Sequence, residues 1–319
     1  MDLRKQFFKM KANLNNSWSA LWQDKTDYRD AYSLDFDISE VSEDAISSAK
    51  SIRGIDRPAT IMVFGVAPRS GTNYIGNVIS NHPDVSAYPN EIYEVPFLRI
   101  TNKLKSFQDA FFDDYYRNIE NMNKNDFLPL FGSSFIAHLY SYIPKGKTML
   151  VKEPDTRFLR YFPYVFPHEH LLLVLRDGRD VVDSTIRTWP SMDFKKICQR
   201  WSDSTKLILK FQRKYNERYL LIKYEDMLDK PKHYMTNILM HYKLDVDSYP
   251  FEKIESMPIV GSSTASKKGD EVSWKPIPAS KSFKPTNKWN NWTAKQKNDF
   301  KTIAGEALIE AKYCNGLDW

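Results

Sequence analysis

The sequence predicts an α/β protein: a parallel β-sheet flanked by helices on both faces. Three observations predict it. Short apolar runs, such as Ile61-Met62-Val63-Phe64 and Leu171-Leu172-Leu173-Val174-Leu175, alternate with segments of helical spacing. The runs are continuously apolar rather than alternating, as expected of strands buried on both faces. Each run ends in polar residues, and open parallel sheets bind ligands beyond the carboxyl ends of their strands.

The elements follow in order. Residues 1–57 read as a polar, mostly helical N-terminal extension packed on the body, and 58–319 as a single domain. Within the extension, Phe7, Phe8, Trp18, Leu21 and Trp22 can share one side of a short amphipathic helix, and 39–48 is rich in capping residues. After Pro58 a strand is expected at 60–66, then a turn through Pro68 and Gly71, then a helix over 72–80 that stops at His82-Pro83. A short strand is expected at 84–88, followed by a loop that carries Glu91 and Glu94. Aromatic residues at helical spacing fill 102–147, most of them as core. A strand over 148–151 ends in Lys152-Glu153-Pro154, and 157–166 reads as helical. The 171–175 strand ends in Arg176-Asp177-Gly178-Arg179-Asp180 and passes into a helix. A long helix at 194–215, a strand at 219–222 and a helix opening at Pro231 complete the alternation. Beyond 255 no regular strand is expected; a basic, aromatic stretch over 281–292 leads into a final helix over 293–311.

Composition narrows the function. The 319 residues, 42% hydrophobic, suffice for one large core. Lys and Arg number 46 against 40 Asp and Glu, a net charge of +6 that suits an anionic ligand. No basic block is long enough to form a nucleic-acid arm. The two cysteines, Cys198 and Cys314, form no CxxC pair, so a reducing, cytoplasmic setting is expected. No window approaches the roughly 18 apolar residues of a membrane span, and the N-terminus lacks a signal-peptide core. The six histidines are scattered, so no metal site is expected, and no Ser-His-Asp grouping is seen.

The chemistry concentrates at strand ends. Val63 to Tyr74 reads as strand, polar turn and helix start, where outward backbone N–H groups favour an anion and Arg69 adds a fixed charge. A nucleotide-hydrolase loop, GxxxxGK[ST], fits poorly. Five residues separate Gly65 from Gly71, and Thr72 follows directly with no lysine to grip phosphates. Arg176 and Ser184 lie eight residues apart across the next such turn, a spacing at which a guanidinium and a hydroxyl can share a phosphate. Pairing of Arg176 with Asp177 or Asp180 is the structural alternative.

Taken together, PRSGT after one strand and LRDGRDVVDS after a later one resemble the two cofactor signatures of the sulfotransferases that use 3′-phosphoadenosine 5′-phosphosulfate (PAPS). YLLIKYEDMLDKP and KWNNWTAKQ are similar to further segments of that family, and the resemblance spans about 58–313. It implies the P-loop NTPase-like sulfotransferase fold, PAPS as sulfuryl donor, 3′-phosphoadenosine 5′-phosphate (PAP) as product, and no metal. It further implies that Arg69, Ser70, Gly71, Thr72 and Asn73 cradle the 5′-phosphosulfate, that Arg176 and Ser184 bind the 3′-phosphate, and that Tyr224 sits near the adenine. Gly261, Ser262 and Ser263, or Lys284 and Lys288, would close over the nucleotide, with Ser262 and Lys284 preferred. Gly178 stands where the family often has proline. Pro154 stands where the cytosolic phenol and steroid branch has its histidine base, two residues after a lysine. That departure points to the branches with a glutamate base: Glu91 first, Glu94 second, Glu153 third. Arg69 and Lys152 would stabilise charge during transfer. The acceptor expected is a small molecule, a natural product or else a sugar, offering a hydroxyl or an amine. Two other functions compete: a small-molecule or nucleoside kinase with a degenerate loop, and a non-catalytic nucleotide or sulfated-glycan binder.

Overall fold

The computed structural model describes residues 25–36, 38, 40–89, 94–114, 122–215, 218–257, 266–268, 271–273 and 286–319. Helices α1 (Lys25–Ala31) and α2 (Glu43–Arg53) precede the first strand, β1 (Ile61–Gly65). The chain continues through α3 (Thr72–Ile79), β2 (Val85–Ala87), α4 (Thr101–Asp114), α5 (Phe127–Tyr140), β3 (Thr148–Glu153) and the short α6 (Phe162–Val165). Then come β4 (His170–Leu175), α7 (Gly178–Thr188), α8 (Phe194–Lys214), β5 (Leu220–Lys223), α9 (Tyr224–Asp229), α10 (Pro231–His241) and α11 (Glu252–Ser256). A hairpin of β6 (Ser266–Lys268) and β7 (Glu271–Ser273) precedes the last helix, α12 (Ala294–Glu310).

The five main strands form one parallel sheet in the order β2-β3-β1-β4-β5. Strand alternation divides the apolar runs between two cores. Ile61, Val63, Leu172, Val174 and Ile222 face Ile75, Val78, Tyr224, Met227 and Ile238 of α3, α9 and α10. Met62, Phe64, Leu171, Leu173 and Leu175 face the other way, toward Ile136, Phe162, Val182, Trp201, Phe211 and Phe300 of α5, α6, α7, α8 and α12. Both faces are covered, which is why the strand sequences are apolar throughout. From β1 the chain leads through α3 to β2; from β4 it leads through α7 and α8 to β5 on the opposite side. The crevice between β1 and β4 is therefore the topological switch point, where such sheets hold ligands.

Two expectations need correction. The 255–285 region is not without strands, because β6 and β7 pair antiparallel there, a register of three residues too short for a periodicity signal. The 157–166 segment is not one helix. It is a 3-10 turn, Leu159–Tyr161, followed by a four-residue helix, Phe162–Val165, with Pro163 in its first turn. Among the described residues before 58, contacts link α1 and α2 to the rest of the chain. Arg53, at the end of α2, bonds Glu169 through Nε at 2.6 Å and the backbone oxygens of Arg57 and Pro58, and the Glu169 carboxylate also accepts from Thr60 N. Phe158 N donates to Ala31 O at 2.8 Å behind α1. Among the described residues, no helix is long and apolar enough to cross a membrane.

Candidate functional site

The loop after β1 is held by its own small residues. Ser70 is fully buried and its hydroxyl donates to Ala67 O at 2.7 Å. A Cβ on Gly65 would lie 2.0 Å from Ser70 Oγ, so the strand can end this tightly against the loop only at glycine. Gly71 has φ 91°, and a Cβ there would lie 2.2 Å from Cδ2 of Tyr224. That glycine lets the Tyr224 ring close against the start of α3. The helix has Gly71 at its N-cap, and no side chain makes a capping hydrogen bond there. A helix start of this kind favours an anion at its backbone N–H groups. Arg69 itself has φ 76°, a left-handed conformation costly for a residue with a Cβ.

The turn after β4 meets this loop across the crevice. Arg176 donates through Nη1 to Arg69 O at 2.5 Å, and Arg69 Nε donates to Ser184 Oγ at 3.3 Å. Ser184 lies in the second turn of α7 and is 2% exposed. The guanidinium of Arg176 stacks 4.7 Å from the ring centroid of Tyr224, the first residue of α9. Arg69, Ser70, Gly71, Arg176, Ser184 and Tyr224 therefore meet at one place, from three separate strand ends. Both aspartates of the Arg176 turn have other hydrogen-bond partners. Asp177 caps α7 and binds Arg179, and Asp180 accepts from the backbone N–H groups of Asn287 and Lys288 at 2.8 and 2.9 Å.

That last contact brings the C-terminal stretch onto the site. Trp292 Nε1 adds a bond to Asp183 at 3.3 Å. Burial lowers the proton affinity of Lys288, and nearby Arg187 and Arg176 lower it further. Burial does the same to Arg69, again with Arg176 and Arg187 as the next causes. Arg69 and Lys288 thus each feel Arg176 and Arg187, with Arg187 itself paired to Asp183 at 2.7 Å, a clustering of cations that an anion would relieve. Arg187 and Asp180 were missed as site residues. Both lie within about a turn of Ser184 on the same helix, so helical spacing from Ser184 could have found them.

On the other side of β1, Lys152 at the end of β3 is 1% exposed, and its Nζ donates to Glu94 Oε1 at 2.7 Å. The Glu94 carboxylate also acts on Arg69. Glu94 and Lys152 are therefore brought to the loop after β1. Glu153 is not. Strand alternation turns it to the opposite face, where it accepts from Leu98 N at 3.2 Å and pairs with Arg99 at 3.1 Å. Burial, then Asp155, raises its pKa. It serves as a structural cap for that turn. Glu91, Ser262 and Lys284 lie outside the described residues.

Residues 59–248 match the family model described as "Sulfotransferase family". That is more than half of the chain, and the chain belongs to the sulfotransferase family. It is 25% identical over 203 residues to protein-tyrosine sulfotransferase A of Caenorhabditis elegans, covering 60% of this chain and 52% of that protein. The chain thus spans about half the length of this curated relative. Among solved structures it is similar to the sulfotransferase domain of the Synechococcus PCC 7002 olefin synthase, with 21% identity, 78% and 94% of the two chains covered, and a TM-score of 0.48. It is also similar to a mouse sulfotransferase complexed with PAP, with 15% identity, 85% and 92% covered, and a TM-score of 0.44. The family assignment rests on the sequence match and not on these scores.

Proposed function

We propose that the chain transfers a sulfuryl group from PAPS to a hydroxyl or amine of a small molecule. The observation that carries this reading is the junction of the 68–72 loop with Arg176 and Ser184 at the switch point. It combines a helix start without a side-chain cap with clustered cations, two features that favour anions, at one crevice between β1 and β4. The nucleotide would be held by Arg69, Ser70, Gly71, Thr72 and Asn73 at its 5′ end and by Arg176 and Ser184 at its 3′-phosphate. Tyr224 would lie by the base, and Ser262, Lys284 and Lys288 would cover it. When bound, the donor would supply an activated sulfuryl group attached to a phosphate leaving group.

The protein's own part is positioning, charge and one proton. Arg69, fixed by its backbone and by Ser184, balances charge on the 5′ side. Glu94 keeps the Lys152 ammonium charged within a setting whose burial favours the neutral amine. That ion pair occupies the Glu94 carboxylate, which supports the earlier glutamate, Glu91, as the group that takes the acceptor's proton. The position of Glu91 rests on the sequence alone. We also take 58–319 as the catalytic domain and 1–57 as its extension.

Calorimetric titration with PAP tests the nucleotide assignment: wild type should bind, and Arg176→Ala should bind roughly 10–100-fold more weakly. No binding by wild type, or equal binding by the variant, defeats the reading. Glu91→Gln should lose roughly 10²–10⁴-fold in kcat with PAP affinity intact. If Glu94→Gln shows that loss instead, the base is Glu94.

A further inference from the structure

Arg176 recognises its ligand only if its main chain is held still, and two side chains far apart in sequence hold it. The carbonyl of Arg176 accepts from Trp201 Nε1 at 3.1 Å. The N–H of Asp177 donates to Glu225 Oε1 at 2.9 Å. Those two backbone groups belong to the same peptide unit, the one joining Arg176 to Asp177. Trp201 lies fully buried in α8, Glu225 in the first turn of α9, and the clamped peptide at the mouth of β4 between them. We propose that Glu225 and Trp201 form a peptide clamp that aims Arg176 at the 3′-phosphate, making Glu225 a positioning residue for nucleotide selectivity. This rests on the PAPS reading above.

Three further contacts show that the clamp is built in rather than incidental. The other oxygen of Glu225 accepts from Tyr313 OH at 3.2 Å, so the carboxylate cannot rotate away without losing both bonds. Tyr313 follows α12 and is fixed in turn, its ring lying 4.3 Å from Lys223 Nζ and its carbonyl accepting from Arg179 Nη2 at 3.4 Å. Gly178 completes the fit. A Cβ there would lie 2.4 Å from Cδ2 of Trp201, so the glycine admits the indole that reaches the Arg176 carbonyl. Tyr224, one residue before Glu225, stacks on the Arg176 guanidinium. Consecutive residues of α9 therefore hold the main chain and the side chain of the same arginine. A peptide plane fixed at both ends leaves Arg176 little freedom beyond its side-chain torsions, which lowers the ordering cost of each phosphate contact.

The test compares PAP with adenosine 5′-monophosphate, which lacks the 3′-phosphate, by calorimetry on the full chain. Wild type should prefer PAP strongly. Glu225→Ala should lose roughly tenfold of that preference, with binding of the monophosphate nearly unchanged. Glu225→Gln should retain the preference, because its amide oxygen still accepts from Asp177 N–H and its NH₂ can donate to the Tyr313 oxygen. Trp201→Phe, which removes the indole N–H end of the clamp together with part of a buried ring, should lose preference in the same direction if Glu225→Ala fails to fold. A merely structural role would weaken both ligands together, and that outcome overturns the clamp. So does an Ala variant that keeps the full preference. A wild-type chain with no preference for the 3′-phosphate overturns the PAPS reading and the clamp with it.

Discussion

At the scale of single residues, the candidate site depends on glycines as much as on charges. Gly71 has a left-handed backbone and no room for a methyl group against Tyr224. Gly71→Ala should therefore destabilise the fold by about 2–4 kcal/mol, combining backbone strain with overpacking. It should also displace the Tyr224 ring and weaken PAP binding. Denaturant unfolding and calorimetry on one preparation check both, and an unchanged unfolding midpoint would refute the close approach. The residues of PRSGT and LRDGRDVVDS were legible because they are local and their spacing is characteristic. Glu225 was not, since its importance comes from what it faces and not from what precedes it, and Arg187 and Asp180 were reachable only by helical spacing from Ser184.

Among the elements, α7 carries the most. The turn leading into it presents Arg176, its second turn Ser184, and Asp180 and Asp183 fasten the C-terminal stretch. Asp180→Ala removes the acceptor for two backbone N–H groups and should free the 286–292 segment, raising its amide exchange rates. Affinity for PAP should fall by roughly tenfold. Exchange rates that stay at wild-type values would show that Trp292 and Asp183 suffice. The buried strands were legible as uninterrupted apolar runs, to within about two residues at their ends. The β6–β7 hairpin was not, because three-residue strands carry no periodicity.

For the whole molecule, two long-range couplings set expectations. Arg53 joins α2 to the entry of β1 and to Glu169 before β4, and this ion pair is buried on both sides. Arg53→Met leaves Glu169 without its guanidinium and should cost about 3–5 kcal/mol, read by denaturant unfolding. Stability should also depend on pH through Glu225. Burial pushes its carboxyl up to about 7 from 4.5, so the native state binds the proton more tightly than the unfolded chain. Its contribution is fully present below pH 4.5 and is lost as pH rises to about 7. Glu225→Gln should flatten that part of the stability profile, and a profile unchanged by the substitution would contradict it. Asp155 works in the opposite sense. Burial raises its pKa, but Arg157 and Arg200 outweigh burial and hold it low, so its contribution is lost only in strong acid.

The sequence by itself determined the parallel sheet, the strand-end location of the chemistry, and the two loops that should meet there. Each of these depends on short-range patterns: apolar continuity, turn residues, and the spacing of a cation from a hydroxyl. Tertiary structure alone decided which charges gather and which disperse. Strand parity turned Glu153 away from the loop while the 94–95 segment brought Glu94 to Lys152. The crossing of α7, α8 and α9 placed Trp201 and Glu225 on opposite ends of one peptide bond, an arrangement that no local pattern specifies.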